Sequence, residues 1–163
     1  TGFTDVYLEQ VPGFSDLNRH PLGRVITVAY FSLIKIDEDH LAHLEKNASL
    51  QWIPVKEIST LAFDHYDIMH TCHKKMQKQI REQPIGFNLL PKKFSLLQLQ
   101  RLYEVILNIE LDKRNFRRKL NALEILKDLG EIEESVSHRP ARLYAFDESV
   151  YESKRNSGFN FEL

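Results

Sequence analysis

The chain has 163 residues, a formal net charge of −1 and a hydrophobic fraction of 42%. This length is enough for one large domain or two small ones. The net charge excludes a uniformly basic nucleic-acid binder. A net charge near zero can still hide a local basic cluster, since residues 91–163 alone carry 13 basic and 12 acidic side chains. The single cysteine, Cys72, excludes an internal disulfide framework. No apolar run reaches the roughly 18 residues of a membrane span, so the sequence predicts a soluble, cytoplasmic protein without a membrane partner.

The first part of the chain predicts mainly strands. An alternating pattern from Phe3 to Leu8 indicates the first strand, and a loop rich in Pro, Gly, Asp and Asn follows it. "RVITVAYFSLI", residues 24–34, is β-branched and aromatic throughout and predicts a central strand covered on both faces. "LQWIPV", residues 50–55, predicts a third strand, followed by a short helical turn. Trp52 and Tyr30 are interpreted as core residues rather than stacking platforms.

A helix is predicted in "DHYDIMHTCHKKMQKQIREQP", from Asp64 to the proline at residue 84. Met69, Cys72 and Met76 recur at helical spacing on one face, as expected for a surface helix that packs on a core. The sequence "EQPIGFNLLPKKF" then breaks the helical period with two prolines and a glycine. We therefore predict two domains, covering residues 1–86 and 91–163.

The second part predicts two helices followed by a hairpin. Ser95 can cap a helix with apolar residues at three- and four-residue intervals, and Asp112 can cap a second helix that ends at about Leu123. "ILKDLGEIEES" and "RPARLYAFDESVY" predict two strands around the polar tip "VSH". Helix, turn, helix and two-stranded hairpin is the order of a winged helix-turn-helix.

The second helix has a strongly basic beginning, "DKRNFRRKL". At about 100° per residue, most of its cations lie opposite Phe116, Leu120 and Leu123, so an anchored helix presents them outward together. Like charges at this spacing repel, and a single-sign cluster is more typical of a polyanion site than of a solvated face. The cluster alone leaves RNA or an acidic protein open as partners. The basic hairpin that follows favours duplex DNA.

The residues that we expect to contact DNA lie in this helix and in the hairpin. They are Lys113, Arg114, Asn115, Arg117, Arg118, Lys119, His138, Arg139 and Arg142.

The run "LPKKFSLLQLQRLYEVILNIELDKRNFRRKL", with "HRPARLYAFD" after it, resembles the C-terminal winged-helix domain of the Nudix-related transcriptional regulators. This family includes regulators of NAD metabolism and of arabinose utilisation. "GRVITVAYFSLI" and "LQWIPVKEISTLAFDHYDIM" are similar to the Nudix-like effector domain of the same proteins. The resemblance implies an α+β chain, with an incomplete Nudix-like α/β/α sandwich followed by a winged helix-turn-helix. It also implies a homodimer.

The resemblance bears on catalysis as well. The Nudix motif ends in R-E-x-x-E-E-x-G-U, where U is apolar, and Thr1, Gly2 and Phe3 match its last three places. Its metal-binding glutamates would then precede the first residue, so we assign no catalytic residue to this chain. We expect an incomplete record of a longer protein, with a true fragment as the alternative. We expect no cofactor.

Two groups of residues are candidates for an effector site. Arg19, His20 and Arg24 lie in or beside a polar loop and can bind a phosphate or a hydroxylated ligand, although a loop without further role is an equal alternative. The resemblance places "FDH", residues 63–65, beside the effector pocket, so Asp64 and His65 are candidates to line it. Histidines farther along the same helix lack the spacing of a metal site, so we predict no metal.

We interpret the chain as a ligand-responsive, DNA-binding transcriptional regulator. The sequence does not separate a sugar such as arabinose from ADP-ribose or another nucleotide as the effector. The alternative from another class is a Nudix hydrolase of nucleoside diphosphate derivatives with an accessory C-terminal domain. A weaker alternative is an interaction module whose basic helix binds an acidic partner.

Overall fold

The computed structural model describes residues 7–21, 23–35, 51–134, 139–159 and 161–162. The chain forms two compact units, Thr1–Met76 and Gln77–Leu163. The predicted domain limits, 1–86 and 91–163, stay a proposal. No helix in these described ranges is long and apolar enough to span a membrane.

The first unit contains a two-stranded antiparallel sheet. Strand β1, Tyr7–Gln10, pairs with β2, Tyr30–Leu33. The ribbon continues beyond the strands, because Phe14 and Thr27 exchange two backbone hydrogen bonds of 2.9 Å. Helix α1, His65–Glu82, is tied to this sheet by Lys75, whose Nζ lies 2.7 Å from Glu9 Oε1 and donates to the carbonyl of Gln10 at 2.6 Å.

Parts of the strand prediction for this unit are wrong. Residues 24–34 form a strand only at Tyr30–Leu33, whose burial alternates, and residues 51–54 form no strand and lead into a 3₁₀ helix at Val55–Glu57. Trp52 and Tyr30 are 53% and 51% exposed, so neither is a core residue. A run of apolar, β-branched residues indicates a preference for burial. Burial also requires other elements that cover the strand, and the described residues do not cover Tyr30 or Trp52.

The second unit begins in the last turns of α1 and continues through a 3₁₀ helix at Pro84–Leu89. It contains a three-stranded antiparallel sheet in the order β3-β5-β4, with β3 at Phe94–Ser95, β4 at Leu126–Ile132 and β5 at Arg142–Phe146. Its helices are α2, Leu96–Leu107, α3, Lys113–Leu123, and α4, Glu148–Asn156.

Both predicted caps are present. Ser95 and Gln98 form a reciprocal capping box at the start of α2, and the Asp112 carboxylate accepts the Asn115 amide at the start of α3 with a distance of 2.7 Å. Helix α4 was not predicted, because residues 139–151 were interpreted as one strand. Asp147 ends that strand by accepting the Val150 amide at 3.0 Å, which caps α4.

The core of this unit joins the helices to the sheet. Leu99, Leu120 and Ile125 are completely buried, and the rings of Tyr103 and Phe116 pack 5.8 Å apart between α2 and α3. The predicted buried face of α3, formed by Phe116, Leu120 and Leu123, is confirmed. Two helices, a short turn and a hairpin wing on a small sheet form the arrangement of a winged helix-turn-helix.

Candidate functional sites

The turn between α2 and α3 is held by side chains of α2. Gln100 is buried and donates to the Leu111 carbonyl at 3.1 Å, while the Glu104 carboxylate accepts the Leu111 amide at 3.1 Å. Gln100 also donates to Glu104 at 2.9 Å, and this hydrogen bond is the main cause of the lowered pKa of Glu104. Both backbone groups of Leu111 are therefore satisfied by one helix, which fixes the angle at which α3 leaves α2.

The predicted basic face of α3 is exposed. Its six polar residues all lie on the surface: Lys113, Arg114, Asn115, Arg117, Arg118 and Lys119. Within this face, Arg118 Nη2 donates to Asn115 Oδ1 at 2.7 Å. The face holds these donors outward while its opposite side anchors the helix in the core. It can therefore meet phosphate oxygens or base edges without unfolding the helix.

A groove of about 430 Å³ lies between α3 and the hairpin. Its basic lining comes from Lys113 and Arg117 of the helix and from Arg139 and Arg142 of the hairpin, with Glu133 as the acidic member. The structure thus brings together four of the predicted DNA contacts from two separate elements. His138 lies outside the described residues. Arg114 and Arg118 are exposed on α3 but do not line this groove.

The hairpin that forms the other wall of the groove contains an irregularity. Five residues of β4, Asp128 to Ile132, oppose three residues of β5, Tyr144 to Arg142. Gly130 lies there with φ +67°, a backbone conformation that favours glycine, and donates its amide to Asp128 at 2.9 Å. This amide, followed by the Arg142 guanidinium at 3.1 Å, lowers the pKa of Asp128. The bulge thereby holds the carboxylate that orients Arg142.

The other end of α3 is held from outside the helix-turn-helix. Lys154 of α4 donates through Nζ to the Leu123 carbonyl at 3.0 Å and to the Glu124 carboxylate at 2.8 Å. Glu124 ends α3 with a left-handed φ of 52°. A cation at the C-terminus of a helix pairs with its unsatisfied carbonyl groups. Lys154 therefore fixes the far end of the basic helix, a role that no local pattern in the sequence indicates.

Lys154→Met is expected to destabilise the second unit by about 1 kcal/mol, through loss of a hydrogen bond to the helix end. It is also expected to weaken DNA binding, because α3 loses a support. The measurement is chemical denaturation followed by circular dichroism, with duplex binding on the same samples. The control is Arg155→Met, which removes one positive charge from the neighbouring, exposed residue of α4. Equal losses in the two variants would contradict the role of Lys154.

In the first unit, Arg19 and Asp64 form a two-pronged ion pair. Arg19 Nε and Nη2 lie 2.7 and 2.9 Å from the two carboxylate oxygens of Asp64, and Nη1 donates to Thr27 Oγ1 at 2.6 Å. The Arg19 side chain is only 5% exposed. Both residues were predicted to contact an effector, and whether they do stays a prediction. Their observed contacts join the polar loop to the residue that precedes α1.

This pair brings His20 and His65 to the same exposed aromatic ring. The Phe63 ring centroid lies 4.9 Å from that of His20 and 6.0 Å from that of His65. Arg24 is also exposed, without a described contact to this group. Phe63 belongs to the segment "FDH" that the resemblance places beside the effector pocket, although only Asp64 and His65 of that segment were named as site residues. Among the described residues, no three of His, Cys, Asp and Glu lie close enough together to hold a metal ion.

Asp64→Asn is expected to make the stability of the first unit less dependent on pH. Hydrogen bonds from Arg19 hold the pKa of Asp64 below its ordinary value of 3.8. A depressed pKa in the folded state stabilises the protein above the unfolded pKa, and this contribution is lost as pH falls through the folded value. The wild type should therefore exceed the variant in unfolding free energy at neutral pH, and the two should converge in acid. Urea denaturation at several pH values measures this, and a constant difference would contradict it.

The comparisons with known proteins agree with this geometry. The model of the NrtR DNA-binding winged helix domain matches residues 86–146. The matched segment is similar to an NrtR winged helix domain. It contains α2, the whole basic face of α3 and the hairpin as far as Phe146. Lys154 lies beyond the matched residues.

The whole chain is 32% identical to the ADPR responsive transcriptional repressor NtrR of Acinetobacter baylyi, over 99% of this chain and 62% of that protein. The chain thus spans less than two thirds of the length of this relative. The resemblance to the Nudix-related transcriptional regulators is confirmed.

Solved structures show the same fold. NrtR of Shewanella oneidensis in complex with a 27mer DNA has a TM-score of 0.74 at 23% identity, over 95% of this chain and 68% of that one. The structure of Shewanella oneidensis NrtR without DNA has a TM-score of 0.72 at 23% identity, over 95% of this chain and 68% of that one. A MutT/nudix family protein of Enterococcus faecalis has a TM-score of 0.51 at 22% identity, covering 85% of this chain and 61% of that one. The predicted α+β fold, an incomplete Nudix-like part followed by a winged helix-turn-helix, is confirmed.

Proposed function

We propose that this chain is part of a ligand-responsive transcriptional repressor that binds duplex operator DNA as a homodimer. The observation that carries the proposal is the groove in which Lys113 and Arg117 of α3 face Arg139 and Arg142 of the hairpin. One winged helix reads about half of a two-fold operator, so two copies are needed for the whole site. The repressor of Acinetobacter baylyi and the DNA-bound structure of Shewanella NrtR support this role.

We propose ADP-ribose as the effector, since the relative from Acinetobacter baylyi is described as ADPR responsive. The ligand would bind the first unit, where His20 and His65 flank an exposed ring and Arg19 with Asp64 fixes the loop. Arabinose, the other effector considered from the sequence, has no support from these relatives. We consider a dimer with one conformation that binds the operator tightly and one that binds it weakly. A ligand that prefers one of these conformations would change the operator affinity, at most by the ratio of its own affinities for the two conformations.

The test is binding to a duplex selected from a random pool, measured over a range of salt concentrations. Four phosphate contacts per protomer would give a slope of log K against log salt of about −3.6 for each protomer. Saturating ADP-ribose should release the duplex, whereas arabinose should not. A slope near zero would contradict DNA binding by the groove, and an unchanged operator affinity would contradict ADP-ribose as the effector. Recovery of AMP from the ADP-ribose sample would instead favour the hydrolase.

A further inference from the structure

Glu133 is the acidic member of the basic groove between α3 and the hairpin. Its carboxylate accepts the backbone amide of Ala141 at 3.1 Å, and its own amide donates to the Ala141 carbonyl at 2.9 Å. These two hydrogen bonds tie Glu133, which is half-buried, to the other arm of the hairpin. The carboxylate therefore has a fixed place in a groove to which the proposed function assigns a polyanion.

Glu133 differs from the acidic residues of β4 in having no cation partner among the described residues, although four cations line its groove. The acids of β4 are both paired: Asp128 with Arg142 at 3.1 Å, and Glu131 with Lys93 at 2.6 Å. The Ala141 amide satisfies only one of the roughly four acceptor positions that a carboxylate offers. The other positions are available to a donor from outside the protein.

A carboxylate in a DNA-binding groove lowers the affinity for most sequences, because it repels the phosphate oxygens that the cations attract. This repulsion is offset only where the DNA presents a hydrogen-bond donor. In the major groove the donors are the amino groups of cytosine and adenine. Adenine places the acceptor N7 beside its amino group, whereas cytosine presents N4 as a donor alone. Cytosine is therefore the base that a carboxylate favours.

We propose that Glu133 is a specificity-determining residue, which accepts a hydrogen bond from N4 of one cytosine in each half-site. This inference rests on the proposed function and adds a residue that penalises other sequences. The cations of the groove bind any duplex through its phosphates, whereas Glu133 lowers that affinity unless cytosine faces it. Glu133 thus raises the ratio of operator affinity to the affinity for unrelated DNA, while it reduces the affinity for DNA in general.

The substitution Glu133→Gln tests this role, since glutamine loses the charge and keeps an oxygen that can accept the Ala141 amide. The affinity for an unrelated duplex should rise about 3- to 10-fold, because a repulsive charge is lost. The ratio of affinity for the wild-type operator to affinity for the unrelated duplex should fall about 10-fold. Selection from a random pool should also change one position of each half-site from cytosine to adenine, because glutamine pairs with adenine.

The matched control is Glu134→Gln, which removes the same charge from the adjacent, exposed residue that does not line the groove. Its affinity ratio and its selected sequence should equal those of the wild type. If Glu133→Gln selects the same bases as the wild type, or changes both affinities by the factors seen for Glu134→Gln, the role of Glu133 is overturned and DNA binding by the groove stands. If the wild type binds its selected duplex no more tightly than the unrelated one, the proposed function itself fails.

Discussion

The double substitution Arg117→Ala and Arg118→Ala is expected to weaken operator binding about 100-fold, or about 1.4 kcal/mol for each arginine. Both side chains are exposed on α3, and Arg117 also lines the groove beside the hairpin. Because each bound phosphate releases a counterion, the slope of log K against log salt should flatten by about one unit for every phosphate that is no longer bound. If one arginine reads a base edge, its removal should relax sequence preference at that position instead.

The matched control for this pair is Lys74→Ala with Lys78→Ala. Both lysines are exposed on α1, and the double substitution removes the same two charges from a surface outside the predicted DNA contacts. Its salt slope should equal that of the wild type. An equal fall in affinity in the two double variants would mean that total charge, rather than the face of α3, governs binding.

Leu120→Ala is expected to destabilise the second unit by about 2–5 kcal/mol, because it leaves a cavity where the core is closed. Leu120 has no exposed surface and lies on the buried side of α3 with Phe116 and Leu123. Since a domain is stable by only about 5–15 kcal/mol, this single change should remove a large part of the stability. DNA binding should disappear on warming well before it does in the wild type.

The control is Asn121→Ala, at the exposed residue next to Leu120 on the same helix. This substitution should change the free energy of unfolding by less than about 0.5 kcal/mol. Circular dichroism during denaturation follows the helices, three of which lie wholly in the second unit. The fluorescence of Trp52, the only tryptophan, follows the first unit. A destabilisation smaller than about 1 kcal/mol for Leu120→Ala would contradict the burial of this face of α3 in the core.

The winged helix could be predicted from sequence because its signals are local. Ser95 and Asp112 cap helices through atoms three residues away, and Phe116, Leu120 and Leu123 follow the helical period. Helix α4 was missed because its short sequence follows a strand directly, and only the cap at Asp147 marks the change. The interpretation of Trp52 as core failed for a different reason. Its burial depends on neighbours distant in sequence, which periodicity does not report.

The same difference applies to the candidate sites. The basic face of α3 is visible in "DKRNFRRKL" because neighbouring residues on a helix share a surface. The Arg19–Asp64 pair joins residues 45 positions apart, and Lys154 reaches the end of α3 across 31 positions.

The hydrogen bonds that join Gln100 and Glu104 to the backbone of Leu111 limit how an effector can act. With both backbone groups of the turn bonded to α2, a change in the angle of α3 would break hydrogen bonds of a buried side chain without a replacement. Allosteric release of DNA is then expected to leave the interior of the winged helix unchanged. In the proposed homodimer, the operator would be released by rigid-body displacement of whole domains, which alters the spacing of the two winged helices.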